Sequence, residues 1–330
     1  MSTPNNNQED VLDLTLRPRT WENYIGQEKL KQNVRIMIDA AKQRKELPEH
    51  LLFYGNPGLG KTTLAYLIAN EIGSDIRIAS GPTIEKIGDL AAILTNLKEN
   101  SVFFIDEIHR LRNQVEEYLY PAMEDFKLNF ILGKGPMART MEIKIPKFTL
   151  IAATTRLASI SSPLRSRFGA TFGLNFYAIK DIENIIQRSA DLLQIKIEKQ
   201  AIPLIARSSR FTPRTANHIL KRVRDFAQVK GTGVITQDIT NQALGHLEID
   251  EKGLTQDDRR ILEVIIEKFQ GGPVGLQALA ASTAEEENTI LDIYEPYLMR
   301  LGFISRTPRG RMVTKLALQH LKIKNNNVIF

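Results

Sequence analysis

Gly55-Asn56-Pro57-Gly58-Leu59-Gly60-Lys61-Thr62 fits the pattern G-x-x-x-x-G-K-[ST], and this stretch decides the fold. Its glycines let backbone N–H groups wrap around phosphate oxygens, and a helix that follows adds a partial positive charge at its N-terminus. We predict that Gly58 and Gly60 shape the loop, that Lys61 reaches the β- and γ-phosphates of ATP, and that the Thr62 hydroxyl ligates Mg²⁺.

The loop stands between a predicted strand and a predicted helix, which is the context that the motif requires. An apolar run, residues 51–54, precedes it, and apolar residues recur at helical spacing after it. Two further apolar runs follow at residues 101–105 and 148–153. Short apolar runs separated by helices are typical of a parallel sheet buried on both faces. The sequence therefore predicts an α/β nucleotide-binding domain over residues 1–177.

Two acids end the second apolar run. An acid at the end of a buried strand beside a phosphate loop can hold the Mg²⁺ shell, and we predict this role for Asp106. Glu107 is placed to activate the attacking water as a general base, which favours hydrolysis over mere nucleotide binding. A hydroxyl at the end of the third run could hold that water or sense the γ-phosphate. Thr155 is the candidate, and Thr154 remains an alternative.

Two arginines lie near the end of this domain, in Ser162-Pro163-Leu164-Arg165-Ser166-Arg167-Phe168. They have no obvious partner in the same chain. An arginine that one subunit donates to its neighbour's nucleotide stabilises charge on the transferring phosphoryl group and contributes about 10³–10⁵ in rate. The alternative is a surface arginine in a salt bridge, and the residues alone leave both open.

The strand pattern stops after Tyr177, and residues 178–250 are predicted to form a small lid of four helices. Thr212-Pro213 is a good N-cap and first-turn pair for the third helix. Arg214 lies in the first turn of that helix, and Gly231-Thr232-Gly233 ends it.

Residues 251–330 are predicted to form a winged helix with three helices and two strands, residues 303–306 and 312–314. The chain carries 44 Lys and Arg against 38 Asp and Glu, a net charge of +6, and residues 300–315 contain five basic residues and no acid. Such a local patch is typical of phosphate binding. No Asn or Gln separates the wing arginines, so we expect them to contact DNA phosphates rather than base edges. The alternative is a solvated charged hairpin. The candidates for DNA binding are Arg306, Arg309 and Arg311.

An insertion at residues 127–147 is predicted to be a β-hairpin with its turn at Gly133–Pro136. In its second strand Met141, Ile143 and Ile145 fall on one face. An apolar face on a projecting hairpin is covered either by a partner or by its own domain, and the pattern leaves both open.

The composition of the chain excludes several classes of protein. The chain has 330 residues, of which 42% are apolar, with no apolar run near the roughly 20 residues that span a bilayer. The polar N-terminus does not resemble a secretory signal, and both ends are expected to fray. Cysteine is absent, which excludes disulfides and thiolate metal sites and fits a cytoplasmic location without membrane association.

The chain resembles the RuvB family, AAA+ motors of bacterial Holliday-junction branch migration. The segments that carry the resemblance span residues 16 to 311 and include several that are more specific than general ATPase motifs. They are Leu16-Arg17-Pro18, Tyr24-Ile25-Gly26-Gln27, the phosphate loop, Ser80-Gly81-Pro82, Gly88-Asp89-Leu90-Ala91-Ala92, residues 104–111, Tyr120-Pro121-Ala122-Met123-Glu124-Asp125, residues 153–156, residues 162–169, Thr212-Pro213-Arg214, residues 222–227, residues 271–276, Glu295-Pro296-Tyr297-Leu298 and residues 306–311.

The resemblance implies a role for each matched residue. Arg167 would be an arginine finger, Arg214 the sensor 2 arginine, and Thr155 or Thr154 sensor 1. Arg306 and Arg311 would touch DNA, with Arg309 beside them. The residues expected around the nucleotide are Leu16, Arg17, Gly58, Gly60, Lys61, Thr62, Thr63, Glu124, Asp125, Phe126, Arg167, Tyr177 and Arg214.

The resemblance also implies partners. The chain would form a homo-hexameric ring on the arms of four-way junction DNA, with ATP and Mg²⁺ as cofactors. Met141 and Ile143 would dock on RuvA, and RuvC resolvase is a further partner that the resemblance allows. The sequence departs from the usual pattern at Asn56, where proline is usual, at Phe126, where tyrosine is usual, and at Phe211, where glycine is usual.

Other functions share parts of this pattern. A clamp-loader-like DNA switch would have the ATPase core but a helical collar instead of a basic wing. A nucleotide-dependent DNA-binding regulator would not need Glu107. A protein unfoldase would need a substrate-binding N-terminal domain.

Overall fold

The computed structural model describes residues 15–132 and 139–323. The expected fraying of both ends and the hairpin turn at Gly133–Pro136 lie outside these residues. The chain divides into two compact units. The first is Met1–Gly55 with Leu59–Asn175, and the second is Asn56–Gly58 with Phe176–Phe330.

The first unit is built on a five-stranded parallel sheet. From one edge to the other, its strands are Ile76–Ser80, Ser101–Asp106, Phe148–Thr154, Leu51–Tyr54 and Ala170–Gly173. The three predicted strands are the central ones, and nearly all their residues are buried because both faces of the sheet are covered. The two edge strands were not predicted, since they are more exposed and lack a continuous apolar run.

Helices and short turns connect these strands, and the helix after the phosphate loop begins at Lys61 because Gly60 adopts a left-handed φ of 101°. Its apolar positions Leu64, Leu67 and Ile68 are buried, as their spacing predicts. The helical segments of the unit are Glu28–Arg44, Lys61–Ile72, Gly81–Thr83, Ile87–Thr95, Ile108–Arg110, Asn113–Glu124, Leu157–Ser159 and Ser162–Arg165.

The predicted insertion is a two-stranded antiparallel hairpin, Lys127–Leu132 with Arg139–Lys144. Its register pairs Leu128 with Ile143 and Phe130 with Met141. Burial falls along the second strand, since Ile145 just after it is buried, Ile143 is half-buried and Met141 is 40% exposed. The base of the hairpin and Phe130 therefore pack against the core of the unit, whereas Met141 in the second strand is exposed.

The second unit begins with the four predicted helices, Ile179–Leu192, Ala201–Ser208, Pro213–Lys230 and Gln237–His246. Thr212 is the N-cap of the third helix and accepts a hydrogen bond from the Thr215 N–H. The prediction that strands stop after Tyr177 was wrong in one detail. Lys196–Ile197 pairs in parallel with Val234–Ile235, and two-residue strands are too short to leave a period in the sequence.

The winged helix is also present in this unit. Its first two helices are Gln256–Phe269 and Leu276–Thr283, and the third is made of Glu287–Thr289, a π-helical segment Ile290–Tyr294, and Glu295–Arg300. The wing strands are Ile304–Thr307 and Gly310–Val313, so the turn is shorter than predicted and Arg311 lies in a strand. A final helix, Lys315–His320, was not predicted. Among the described helices, none is long and apolar enough to cross a membrane.

Candidate nucleotide site and basic wing

Lys61 is buried at the start of its helix, and its Nζ donates a hydrogen bond to the carbonyl of Gly55 at 2.7 Å. Burial lowers the pKa of this ammonium, and the nearby Asp106 and Glu107 carboxylates oppose that shift. Gly60 must be glycine at this point, because a Cβ would lie 3.0 Å from the hydroxyl oxygen of Tyr24 and the backbone is left-handed. The buried ammonium of Lys61 thus lies against the carbonyl of Gly55 at the start of the loop.

Thr62 and Asp106 bring together two side-chain oxygens that could hold a hard cation. The Thr62 hydroxyl donates to Asp106 Oδ2 at 3.3 Å, and Asp106 Oδ1 accepts from the Glu107 N–H at 3.0 Å. Two oxygens in adjacent positions around an octahedral Mg²⁺, at about 2.0–2.1 Å each, lie about 3 Å apart. The separation of the two side-chain oxygens therefore fits the cation that the sequence predicts.

Glu107 lies in a left-handed turn, with φ of 50°, directly after the strand that ends at Asp106. Its Oε2 accepts a hydrogen bond from the Thr155 hydroxyl at 3.2 Å. Thr154 is fully buried, and its hydroxyl instead meets His109 Nδ1 at 2.9 Å. The geometry favours Thr155 over Thr154 as the hydroxyl that works with the base. The first unit thus connects Lys61, Thr62, Asp106, Glu107 and Thr155.

Arg167 belongs to a second group in the same unit. Its Nη1 donates to the Pro163 carbonyl at 2.7 Å, its Nε lies 3.1 Å from a Glu124 carboxylate oxygen, and its guanidinium stacks 4.3 Å from the Tyr120 ring centre. Phe126 is half-buried and, with Arg167, lines a cavity of about 340 Å³. Asp125 is exposed beside them. Glu124 and Phe126, expected around the nucleotide, therefore accompany the arginine finger candidate.

The N-terminal residues expected near the nucleotide are ordered. Leu16 is buried, and the guanidinium of Arg17 stacks 4.4 Å from the ring centre of Tyr66, on the helix that begins at Lys61. Arg17 Nη1 is buried without a hydrogen-bond partner among the described residues. Thr63 is half-buried in the first turn of the same helix.

In the second unit, which includes Asn56–Gly58, the Arg214 N–H donates to the Gly58 carbonyl at 3.4 Å, and the Arg214 side chain is exposed. Gly58 has φ of +78°, and a Cβ there would lie 3.0 Å from the Arg214 Cβ, so a larger residue would push the two apart. Tyr177 is buried, and its N–H donates to the Phe211 carbonyl at 3.0 Å.

Phe211 itself has φ of 56°, which explains why a glycine would suit this position. Its ring lies 6.2 Å from that of Tyr297, and the Arg300 guanidinium lies 5.6 Å from its ring centre. Thr212 still caps the following helix, so the departure at Phe211 leaves the helix that carries Arg214 intact.

The wing arginines differ sharply in exposure. Arg309 is exposed in the turn, and the Arg306 side chain is 60% exposed. The side chain of Arg311 is only 9% exposed, and its Nε and Nη2 donate to Glu295 Oε2 at 3.2 and 3.0 Å. Direct DNA contact by Arg311 stays a prediction, and its burial and its pairing with Glu295 make it less favoured than contact by Arg306 or Arg309. Arg311 anchors the wing, while Arg306 and Arg309 face solvent.

Comparison with known families resolves the identity of the chain. Residues 16–174 match the family model described as the Holliday junction DNA helicase RuvB P-loop domain. Residues 177–250 match the RuvB AAA lid domain, and residues 251–322 match the RuvB C-terminal winged helix domain. The chain belongs to the RuvB family.

Individual RuvB proteins are similar over nearly the whole chain. A Dehalococcoides mccartyi (strain CBDB1) protein named Holliday junction branch migration complex subunit RuvB is 56% identical over 316 residues, which cover 96% of this chain and 90% of that protein. A structure named Thermotoga maritima RuvB Holliday junction branch migration motor is 48% identical, with a TM-score of 0.87 over 94% of this chain and 99% of that one. A variant of the same protein gives a TM-score of 0.86.

Within this RuvB chain, sequence reasoning missed Glu295, the acid that neutralises Arg311. Residues 300–315 contain no acid, so the local sequence offers Arg311 no partner. The sequence does contain an acid just before this segment. Glu295 begins the Glu-Pro-Tyr-Leu segment in the third helix of the winged helix. A carboxylate on the inner side of that helix packs against the wing, and Glu295 is buried there.

Proposed function

We propose that this chain is the ATP-driven motor subunit that moves the branch point of Holliday junctions in DNA recombination and repair. The proposal is carried by the match to the RuvB family together with Lys61, Asp106 and Glu107, which lie close to one another, and the basic wing of a winged helix. A clamp-loader-like switch is not favoured, since residues 251–322 match a winged helix and no collar.

The geometry of the first unit supports the proposed division of labour. Three domains, residues 1–177, 178–250 and 251–330, serve as ATPase, lid and DNA-binding head. Lys61 binds the β- and γ-phosphates, and Thr62 with Asp106 holds Mg²⁺, which neutralises charge on the phosphates when it is bound. Glu107 accepts a proton from the attacking water, and Thr155 orients the base through its hydrogen bond at 3.2 Å.

Two arginines complete the chemistry in this proposal. Arg167 acts on the nucleotide of a neighbouring subunit. Glu124 and Tyr120 of its own chain hold its guanidinium in a fixed direction. Arg214 senses nucleotide from the lid. This arrangement requires a ring, and we propose a homo-hexamer that works in the cytoplasm, with RuvC as a further partner of the complex.

The two surfaces proposed for partners are the wing and the hairpin. Arg306 and Arg309 bind DNA phosphates, and Met141 and Ile143 contact RuvA. The exposed Met141 supports this proposed surface, and the half-buried Ile143 would lie at its inner edge.

An ATPase assay with and without DNA tests the proposal against a nucleotide-dependent DNA-binding regulator. We expect steady multiple turnover that DNA stimulates and that Glu107→Gln abolishes while ATP binding remains. Hydrolysis at the normal rate in Glu107→Gln, or the absence of turnover in the unmodified protein, would contradict the proposal.

A further inference from the structure

His109 contacts Glu107, the proposed general base, and Thr154, the last residue of the neighbouring strand. Its Nδ1 lies 3.2 Å from Glu107 Oε2 and 2.9 Å from the Thr154 hydroxyl oxygen. The same Glu107 oxygen accepts the hydrogen bond from Thr155. One ring nitrogen thus links the carboxylate of the general base to the end of the strand that carries both threonines.

The backbone builds this contact into the fold. Glu107 is left-handed and is followed by the short helical turn Ile108–Arg110, which brings His109 back towards Glu107. The turn packs against Gly81, where a Cβ would lie 2.3 Å from the Glu107 carbonyl oxygen. The His109 side chain is only 9% exposed, so its position is not that of a freely moving surface histidine.

The groups around Nδ1 of His109 indicate that this ring nitrogen carries the hydrogen. A carboxylate oxygen is an acceptor only, and a bare nitrogen lone pair would repel it, so Nδ1 carries a hydrogen when it faces Glu107. The Thr154 hydroxyl oxygen accepts from the Arg156 N–H at 2.9 Å and can also accept from Nδ1. With the ring hydrogen on Nδ1, this single N–H can be shared between the Glu107 carboxylate at 3.2 Å and the Thr154 hydroxyl oxygen at 2.9 Å.

We propose that His109 is a positioning residue for hydrolysis. Its Nδ1–H and the Thr155 hydroxyl hold Oε2 of Glu107, which fixes the rotamer of the carboxylate and leaves the other oxygen, Oε1, to receive the proton of the attacking water. This inference rests on the proposed function, because it assigns to His109 a role through Glu107. It predicts that loss of the donor lowers turnover and leaves nucleotide affinity unchanged, because Lys61 and Thr62 are not involved.

The test compares three substitutions in the full-length protein. His109→Ala removes the donor and is expected to lower kcat by about 10- to 100-fold, the scale of a misplaced catalytic group, with KM for ATP unchanged. His109→Asn carries its amide nitrogen on Cγ, as histidine carries Nδ1, and should restore most of the turnover. His109→Gln, the matched control, places its amide one bond further out and should not.

Glu107→Gln provides the background that separates positioning from a structural role. In Glu107→Gln, the further change His109→Ala should cause no additional loss in single-turnover hydrolysis, because the group through which His109 acts is already gone. Additive losses, equal turnover of the Asn and Gln variants, or a rise in kcat in His109→Ala would each overturn the proposal.

Melting temperatures and the affinity for a fluorescent ATP analogue should stay unchanged across the series. If Glu107→Gln itself hydrolyses ATP at the normal rate, the general base of the proposed function fails. If Glu107→Gln is inactive and His109→Ala is not impaired, only the role of His109 fails.

Discussion

Glu295 Oε2 accepts two hydrogen bonds from the buried guanidinium of Arg311, at 3.2 Å from Nε and 3.0 Å from Nη2. Its other oxygen lies 3.9 Å from Nε of the exposed Arg306 and accepts no hydrogen bond among the described residues. The third helix therefore fastens the wing through Arg311 and leaves Arg306 pointing to solvent. Two arginines that face each other across the wing strands thus differ in exposure and in partner.

The first prediction concerns the exposed wing arginines. Arg306→Ala should weaken DNA binding equally for unrelated sequences, because phosphate contacts carry no base information. It should also reduce the slope of log affinity against log salt by about 0.9 for the lost contact. Fluorescence anisotropy over a salt series measures both. If the slope is unchanged in both Arg306→Ala and Arg309→Ala, the wing does not contact DNA phosphates.

The buried pair gives a matched control for that experiment. Replacing both partners, Glu295→Leu with Arg311→Met, removes the ion pair without leaving a charge unpaired, and such exchanges are often neutral for stability. The double variant should keep the slope of the unmodified protein. Glu295→Leu alone should lower the free energy of unfolding by about 3–5 kcal/mol, because it leaves the Arg311 guanidinium buried and unpaired. If the slope of log affinity against log salt falls in the double variant, Arg311 contacts DNA.

The second prediction is that Arg167 acts in trans. Arg167→Ala and Lys61→Ala proteins should each lose ATPase activity, the first by about 10³–10⁵-fold. Mixing them should restore part of the activity, since some sites in mixed rings combine an intact loop with an intact finger. An affinity tag on one variant, with co-purification of the untagged variant, confirms that mixed rings form. If mixed rings form and activity stays absent, the finger does not cross the subunit boundary.

The third prediction concerns the stability of the first unit. His50 Nδ1 accepts from the Leu150 N–H at 2.8 Å, and Nε2 donates to the Met123 carbonyl at 3.0 Å, so the ring is neutral. Burial lowers the pKa of His50 below its usual value of 6.5. The unfolded chain then binds a proton that the folded chain does not, so this contribution to stability is complete above about pH 6.5 and is lost as the pH falls towards the folded pKa.

Urea unfolding between pH 5 and pH 8 measures this effect. The free energy of unfolding should fall less steeply below pH 6.5 in His50→Gln than in the unmodified protein, although the variant is less stable at pH 8. Parallel curves for the two proteins would show that His50 titrates normally in the fold.

The fourth prediction concerns the hairpin. Met141→Asp should abolish RuvA stimulation and junction targeting, while ATPase activity without DNA and the melting temperature stay near normal, because Met141 is 40% exposed. Ile143→Asp should also lower the melting temperature, because Ile143 packs on the core of the first unit. Glu142→Ala, on the opposite face, is the control. Normal RuvA stimulation of Met141→Asp would remove the hairpin from the interface.

Much of the fold followed from local patterns in the sequence. The periodicity of apolar residues predicted the central strands and the lid helices, and capping chemistry predicted the Thr212 N-cap. Both signals act within a few residues. What could not be predicted depends on distant partners. Arg311 looked like another basic residue of the wing, and only tertiary packing places Glu295 beside it. The choice between Thr154 and Thr155 likewise depends on which hydroxyl faces Glu107.

Branch migration of a synthetic four-way junction tests the central claim most directly. With this chain, RuvA, ATP and Mg²⁺, a junction with one labelled arm should separate into two duplexes, and Glu107→Gln should leave it intact although it binds ATP. Native gels resolve the two products. If ATP is hydrolysed in the presence of RuvA and junction while the labelled junction persists, the chain is not a branch-migration motor.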